Sequence, residues 1–200
     1  MTKALIEEIK ACTLCKATLP EEPRPVVRFS SSSPIVIVGQ APGLKVHESG
    51  IPWNDASGRR LREWLGVDAD TFYSTRNFSI VPMGFCYPGR GKSGDLPPRP
   101  ECAATWMQAV LSAIKGKKLL ILAGQYAQQY FLKELRRPTL TETVSEHQNY
   151  LPDYFVLPHP SPRNNIWLKK NPWFEKEVIP ELRALVARLL KEAEVEKHRK

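Results

Sequence analysis

Residues 35–43 read IVIVGQAPG, a run of four apolar residues that ends in a turn bounded by two glycines. Three later apolar runs, at 78–81, 119–123 and 154–157, are also bounded by turn-forming residues. Short runs that are apolar at consecutive positions are typical of strands buried on both faces. We therefore predict four buried strands, at 35–39, 78–81, 119–123 and 154–157.

Helical patterns fill the stretches around these runs, and they predict helices at 3–10, 58–65, 100–114, 125–132 and 172–198. Strands that alternate with helices indicate the α/β class. We expect a three-layer αβα sandwich with a central four-stranded, mainly parallel sheet. Ligands of such sheets bind beyond the carboxyl ends of the strands. The motifs GQAPG at 39–43 and HPSPRN at 159–164 both follow predicted strands, so we expect them to meet in one crevice.

The length of 200 residues and a hydrophobic content of 42% suit one domain that spans 1–200. No stretch approaches the roughly 20 apolar residues that a membrane helix needs. The N-terminal MTKALIEEIKAC lacks the apolar core of a secretory signal. We therefore expect an intracellular protein without membrane association, and we expect it to be a monomer.

Positive charge is in excess, with a formal net charge of +8 and a sequence pI near 9.4. This favours a polyanionic partner such as nucleic acid, although a simple surplus of surface lysine explains it equally well. The Pro- and Gly-rich stretch YPGRGKSGDLPPR at 87–99 predicts a surface loop that carries Arg90, Lys92 and Arg99. It is either a flexible insertion or a basic loop that lies near DNA phosphates.

Four cysteines stand at positions 12, 15, 86 and 102, so a Cys-x2-Cys pair is followed by two single cysteines that flank the basic loop. In a reducing compartment such cysteines are better explained by metal ligation than by disulfides. Four thiolates can hold a tetrahedral zinc ion or a cubane iron-sulfur cluster. The third and fourth cysteines are separated by fifteen residues and do not form a second Cys-x2-Cys pair, which favours the cluster over zinc. Four unrelated buried thiols are the remaining alternative.

The order and spacing of Cys12, Cys15, Cys86 and Cys102 resemble the cluster-binding cysteines of the iron-sulfur uracil-DNA glycosylases known as family 4, with relatives in family 5. The segment 39–58, through Gly50, Pro52, Trp53 and Gly58, resembles the GEAPG...G-x-P-F-V-G-x-A-G of family 4. The run HPSPRN is similar to the hallmark motif of the single-strand-selective monofunctional glycosylases. The resemblance implies that the four cysteines hold a structural [4Fe-4S] cluster, with zinc as the alternative.

The resemblance also implies roles for the two motifs. Trp53 would stack on a base that has rotated out of the DNA helix. His159 would donate a hydrogen bond to the departing base, where negative charge develops in the transition state. Ser161 would bind a phosphate beside the lesion, and Arg163 would enter or brace the gap in the duplex. Further candidate contacts are Gln40, Ala41 and Asn77 to the base and Gly43, Asn164 and Arg90 to DNA.

The first motif departs from the family patterns. The conventional uracil enzymes have Asp and the single-strand-selective group has Asn where this chain has Ala41, and family 4 has Glu where this chain has Gln40. We therefore expect Gln40 or a nearby ionisable residue, Asp55 or His47, to position the attacking water.

The base-reading position departs as well. Family 4 places a uracil-reading Asn four residues before the third cysteine, where this chain has Pro82. Asn77 on the same predicted strand, Asn54, or backbone groups around 83–85 are the candidate substitutes. Specificity for uracil is therefore open at this position.

We expect a monofunctional glycosylase that acts on DNA containing uracil or another deaminated base and is associated with the nucleoid. The missing asparagine leaves a glycosylase for hypoxanthine or xanthine as the first alternative. The second alternative is a protein that binds damaged DNA without cutting it, because Gln40 and Ala41 depart from the residues that position water in the related families. A zinc-binding module without a role in repair is a third.

Overall fold

The structure of the protein, a computed structural model, describes residues 2–198. The strands are β1 (Ile35–Val38), β2 (Phe78–Ile80), β3 (Arg90–Gly91), β4 (Gly94–Asp95), β5 (Leu119–Ala123) and β6 (Tyr154–Leu157). The helices are α1 (Thr2–Lys10), α2 (Leu44–Ser49), α3 (Ala56–Leu65), α4 (Ala69–Tyr73), α5 (Pro100–Ala113), α6 (Gln125–Leu132), α7 (Leu140–Ser145), α8 (Asn165–Lys170) and α9 (Ile179–His198). Short 3-10 turns occupy Lys16–Thr18, Lys133–Leu135, His147–Tyr150 and Pro162–Asn164, and a π turn occupies Phe174–Val178.

Four strands form one sheet in the order β2-β1-β5-β6, and every pairing between neighbours is parallel. Ile35 pairs with Phe78 on one side and with Leu119 on the other, so the strands start nearly level. All four predicted strands are confirmed, and so is the α/β class. Because the strands are parallel, their carboxyl ends lie along one edge of the sheet.

Alternate side chains of each strand enter two separate apolar cores. Ile35 and Ile37 of β1 face a core that they share with α3 and α9, whereas Val36 and Val38 face a core that they share with α1, α5 and α6. All four of these β1 side chains are fully buried. A strand that is buried on both faces reads as a continuous apolar run, which is why 35–38 shows no polar alternation. Helices on both faces make the three-layer sandwich that the sequence predicts.

The predicted helices differ from the observed ones mainly at the chain's C-terminal part. The predicted helix 172–198 begins as the π turn at Phe174–Val178, and regular α-helix starts at Ile179. The amide of Ile179 donates to the carbonyl of Phe174, five residues back, and Pro180 follows with no amide hydrogen to donate. The short helices α2, α4, α7 and α8 are too brief to show a clear apolar period, and the sequence prediction missed them.

The basic stretch 87–99 is not a loop throughout. Arg90 pairs with Asp95 and Gly91 with Gly94 in an antiparallel hairpin of two short strands, β3 and β4. Among the described residues, no helix combines the length and the apolar character that crossing a membrane requires.

Candidate functional site

A cleft of about 590 Å³ lies at the carboxyl ends of β1, β5 and β6. Its walls include the turn at 39–43 after β1, the segment from Pro52 to Ser57, Gly124 and Gln125 after β5, and the loop after β6 from His159 to Asn164. A volume of this size is typical of a site for a small molecule or an extruded group. The two sequence motifs therefore meet in one crevice, as their positions after parallel strands predicted.

His159 lines this cleft and lies two residues after the end of β6. Its backbone carbonyl accepts a hydrogen bond of 2.6 Å from Nδ2 of Asn164, which closes the loop on itself. The pKa of His159 is lowered to about 4, mainly by burial; the negative charge of Asp55 opposes this shift and the positive charge of Arg163 adds to it. His159 is therefore neutral near pH 7. A neutral imidazole offers one N–H donor and one acceptor nitrogen.

Arg60 of α3 braces the loop that carries His159. One guanidinium nitrogen donates to the carbonyl oxygens of Pro160 and Ser161, at 3.4 and 3.1 Å, and the other donates to Oδ1 of Asn165 at 2.8 Å. These contacts join residues about one hundred positions apart in the chain. The sequence analysis missed Arg60 because nothing in a local pattern distinguishes it from its exposed neighbour Arg59.

Trp53 stands directly against His159. The two ring centroids are 5.5 Å apart and the ring planes are inclined by 31°. A further ring between them would need two stacking gaps of about 3.5 Å, so a base cannot lie between these rings in this arrangement. The backbone of Trp53 has φ of 58°, a left-handed value that is rare for a bulky residue. Strained backbone of this kind clusters at active sites and ligand-binding segments.

Two glycines make room for Trp53. A Cβ on Gly39 would come within 2.7 Å of Cζ2 of the indole, and a Cβ on Gly58 would collide with the Trp53 carbonyl. The glycines of the 39–58 segment therefore allow the aromatic side chain to enter the cleft.

Asp55 and Gln40 both line the cleft, so their predicted roles at the reacting group are geometrically possible. Asp55 caps α3, because its Oδ1 accepts a hydrogen bond of 2.8 Å from the amide of Gly58. The backbone oxygen of Gln40 accepts from the amide of Gly84 at 3.0 Å, which ties the turn to the adjacent chain. Ala41 also lines the cleft.

Three candidate residues lie outside the cleft wall, two of them proposed to read the base and one to position water. Asn77 precedes β2 at the amino end of the sheet, and its Nδ2 donates to the carbonyl of Thr71 at 3.2 Å, so it does not reach the cleft. Asn54 is exposed and is not part of the cleft wall. His47 lies on α2 beside Tyr87, with ring centroids 6.0 Å apart, and is also outside the cleft. Pro82 does line the cleft.

The backbone of 83–85 cannot donate to a base either. The amide of Met83 donates to Gly39, that of Gly84 donates to Gln40, and that of Phe85 donates to Sγ of Cys102 at 3.2 Å. All three donors are therefore engaged within the protein. The side-chain amides that do line the cleft belong to Gln40, Gln125 and Asn164, and the Nδ2 of Asn164 donates to the His159 carbonyl. The sequence analysis did not identify Gln125 as a cleft residue.

The predicted DNA contacts lie along one rim. Ser161 accepts a hydrogen bond of 3.2 Å from the amide of Arg163 through its Oγ, and Arg163 is exposed. Arg163 packs on the hairpin at Gly94, where a Cβ would collide with the guanidinium. Arg90 is exposed on the same hairpin, and Gly43 lies beside Asp95. Asn164 differs from the prediction, because its amide nitrogen already holds the His159 carbonyl and so positions the loop.

The four cysteines line a second cavity, which is much smaller than the cleft and has about 20 Å³ of space. Cys102 lies in the first turn of α5 and is buried, and the other three are partly exposed. Burial raises the pKa of Cys86 to about 11 and that of Cys102 to about 12. Thiols in such an environment become ligands only if a metal displaces their protons.

The four thiols fit either of two groups. Four cysteines around one cavity are the ligand set that a zinc tetrathiolate or a cubane cluster requires. Among residues 2–196, no group of three Cys, His, Asp or Glu side chains is arranged to hold a metal ion.

Comparison with known proteins gives a family match. The sequence pattern of the Uracil DNA glycosylase superfamily matches residues 27–183. Among solved structures, the chain is similar to the solution NMR structure of a candidate uracil DNA glycosylase from Methanosarcina acetivorans. That similarity has 18% sequence identity, covers 80% of this chain and 93% of the other, and has a TM-score of 0.45.

Replacing Arg60 tests the brace. We expect Arg60→Ala to lower the free energy of unfolding by about 1–3 kcal/mol, because three acceptors lose a charged donor. Nitrogen-15 relaxation should also show larger backbone motion confined to 159–165. Arg59→Ala on the same helix is the matched control and should change stability by less than about 0.5 kcal/mol. Unchanged relaxation at 159–165 in Arg60→Ala would contradict the proposed brace.

The lowered pKa of His159 can be measured directly. We expect its imidazole nitrogens to keep the chemical shifts of the neutral ring down to near pH 4, as burial disfavours the charged form. As pH falls below about 6.5, His159 binds a proton in the unfolded chain before it does so in the folded protein. His159 therefore lowers the free energy of unfolding progressively between about pH 6.5 and pH 4, and it has no such effect above about pH 6.5. His159→Gln should lose less stability over that range. A ring that titrates near pH 6.5 would refute the assignment.

Proposed function

The chain belongs to the uracil DNA glycosylase superfamily, and on that basis we propose that it is a monofunctional glycosylase that removes uracil from DNA and leaves an abasic site. The observation that carries this proposal is the neutral, braced His159 in a cleft with an aromatic neighbour. The basic charge of the chain agrees with a DNA substrate.

The proposed reaction breaks the bond between N1 of uracil and C1′ of deoxyribose. The base leaves as an anion, and its electron pair spreads onto its oxygen atoms. An N–H of neutral His159 donates to O2, where this charge develops, and so lowers the barrier without protonating the base. Because Arg60 and Asn164 hold the loop, the donor needs little reorganisation when the charge appears.

The water that attacks C1′ must be oriented and must give up a proton. Asp55 is our candidate, because Oδ1 is engaged with Gly58 while Oδ2 can accept a hydrogen bond from that water. Gln40 is the alternative, orienting the water through its side-chain oxygen without accepting its proton. Asp55→Asn and Gln40→Ala distinguish the two.

Base recognition is proposed to use the carboxamides of Gln40 and Gln125 together with the face of Trp53. Uracil has donors and acceptors on one edge, and a carboxamide can complement either. The base would contact the face of Trp53 that is turned away from His159, or the indole would move to admit it. Ser161, Arg163, Gly43 and Arg90 would contact the DNA around the lesion.

A specific observation favours a second candidate. Pro82 lines the cleft where family 4 reads uracil with an asparagine, and Asn77 does not replace it. A pocket without that amide discriminates less against hypoxanthine or xanthine. A glycosylase for these bases is therefore the alternative activity.

We also propose that Cys12, Cys15, Cys86 and Cys102 hold a [4Fe-4S] cluster. The support is their common cavity and the amide of Phe85, which already donates to the sulfur of Cys102. When bound, the cluster would act as a covalent cross-link between the N-terminal segment, the chain after β2 and α5, and it would take no part in the chemistry. Zinc is the alternative occupant.

Excision assays test the activity. Oligonucleotides that contain uracil, hypoxanthine or xanthine are incubated with wild type, His159→Ala and His47→Ala, and abasic sites are revealed by alkali. We expect uracil excision that falls by about 10²–10³-fold in His159→Ala, because one transition-state donor is lost. His47→Ala, a histidine outside the cleft, should keep wild-type activity.

Other outcomes of the assay identify the rivals. Excision of hypoxanthine or xanthine with uracil left intact would replace the uracil proposal by the alternative activity. No excision of any lesion by a folded wild type that still binds damaged DNA would indicate a non-catalytic binding protein.

Anaerobic reconstitution tests the cofactor. We expect about four irons and four sulfides per chain with broad visible absorbance, and loss of both in Cys86→Ser. The control is Leu14→Ser, which introduces a serine at an exposed position between Cys12 and Cys15 and removes no cysteine. Stoichiometric zinc with a colourless protein would contradict the cluster.

A further inference from the structure

Two buried nitrogen atoms in the wall of the cysteine cavity lack hydrogen-bond partners. Within the described part of the chain, three buried side-chain polar atoms are unpaired: His47 Nδ1, Arg99 Nε and Trp106 Nε1. Arg99 and Trp106 both line the cavity that the four cysteines share. An unpaired buried donor destabilises a protein, so its presence indicates a missing acceptor.

Both donors are placed by α5 and the residue that precedes it. Trp106 is four residues after Cys102 in α5, so these two side chains lie on the same face of the helix. Arg99 is the extended residue immediately before α5, and Glu101 holds it in place because its Oε1 accepts from one terminal nitrogen at 2.8 Å. Cys102, Arg99 and Trp106 all line the same cavity.

One of the two interpretations of the basic stretch 87–99 placed it near DNA phosphates. Arg99 does not fit that interpretation, because it lies in the wall of the cysteine cavity immediately before α5. Its positive charge therefore lies beside the cysteines.

The acceptors that this cavity offers are sulfur atoms. Phe85 already donates its amide to Sγ of Cys102 at 3.2 Å, which is the same kind of contact. A zinc tetrathiolate would offer the four cysteine sulfurs alone, whereas a cubane cluster would offer its sulfides as well. N–H donors that line the same cavity as the cysteines would therefore find more sulfur acceptors around a cluster than around a zinc ion.

We propose that Arg99 Nε and Trp106 Nε1 donate hydrogen bonds to sulfur atoms of the [4Fe-4S] cluster and thereby raise its reduction potential. The inference rests on the cluster proposed above. Reduction adds negative charge to the cluster, and N–H donors and a nearby guanidinium stabilise the more negative form. These two residues therefore set how readily the cluster is reduced, in addition to the cysteines that hold it.

Reduction potentials of the full chain test this inference. Wild type, Trp106→Phe and Arg99→Gln are reconstituted anaerobically, and the potential of each is measured by spectroelectrochemical titration with iron determined on the same sample. Trp106→Phe removes the N–H and keeps the ring. Trp173→Phe and Arg188→Gln are matched controls, because they make the same chemical changes outside the cavity wall.

We expect Trp106→Phe and Arg99→Gln each to shift the potential to a lower value, with the larger shift for Arg99→Gln because it removes a charge as well as a donor. Arg99→Lys should fall between wild type and Arg99→Gln. The controls should match wild type. In pulsed ENDOR of the reduced wild type, an exchangeable proton coupled to the cluster should disappear in Trp106→Phe.

Unchanged potentials in both cavity variants, at full iron content, would overturn the inference and leave the cluster in place. A wild type that holds no cluster after reconstitution would overturn the cluster and the inference together. Uracil excision measured on the same preparations reports separately on the glycosylase proposal, since neither Arg99 nor Trp106 lies in the cleft of His159.

Discussion

Parallel pairing of β1 with β5 and of β5 with β6 brings the ends of three strands to one edge of the sheet. The turn after β1 and the loop after β6 are separated by more than a hundred residues in sequence, yet this pairing makes them opposite walls of one cleft. The two apolar cores on either face of the sheet hold the strands in register. The cleft exists only because these segments meet at the carboxyl edge of the sheet, where ligands of parallel sheets bind.

His159 is buried in the cleft, and hydrogen bonds from two side chains hold the loop that carries it. Burial keeps His159 neutral, and its loop is held by Asn164 from within and by Arg60 from α3. The same helix α3 is capped by Asp55, which faces the cleft. One helix thus supports the loop that carries His159 and begins next to Asp55, the carboxylate that we propose as the group that orients water. These contacts hold the His159 loop in one orientation.

The second centre of the molecule lies around the cysteines. The N-terminal pair, the chain that follows β2 and the first turn of α5 meet at one cavity, and the unpaired donors of Arg99 and Trp106 lie in its wall. The chain between Cys86 and Cys102 contains the hairpin on which Arg163 packs. A cluster in this cavity would therefore anchor both ends of a segment that supports the rim of the cleft.

Local sequence determined the strands, most of the long helices and the two cleft motifs, because burial on both faces, helical periodicity and proline or glycine turns are properties of neighbouring residues. It also indicated which four cysteines belong together. Tertiary structure alone decided that Arg60 braces the His159 loop, that Arg99 faces the cysteines and that Asn77 lies at the wrong end of the sheet. Each of these depends on where a side chain points after distant segments pack, and a hydrogen bond between residues a hundred positions apart leaves no mark on the residues beside it.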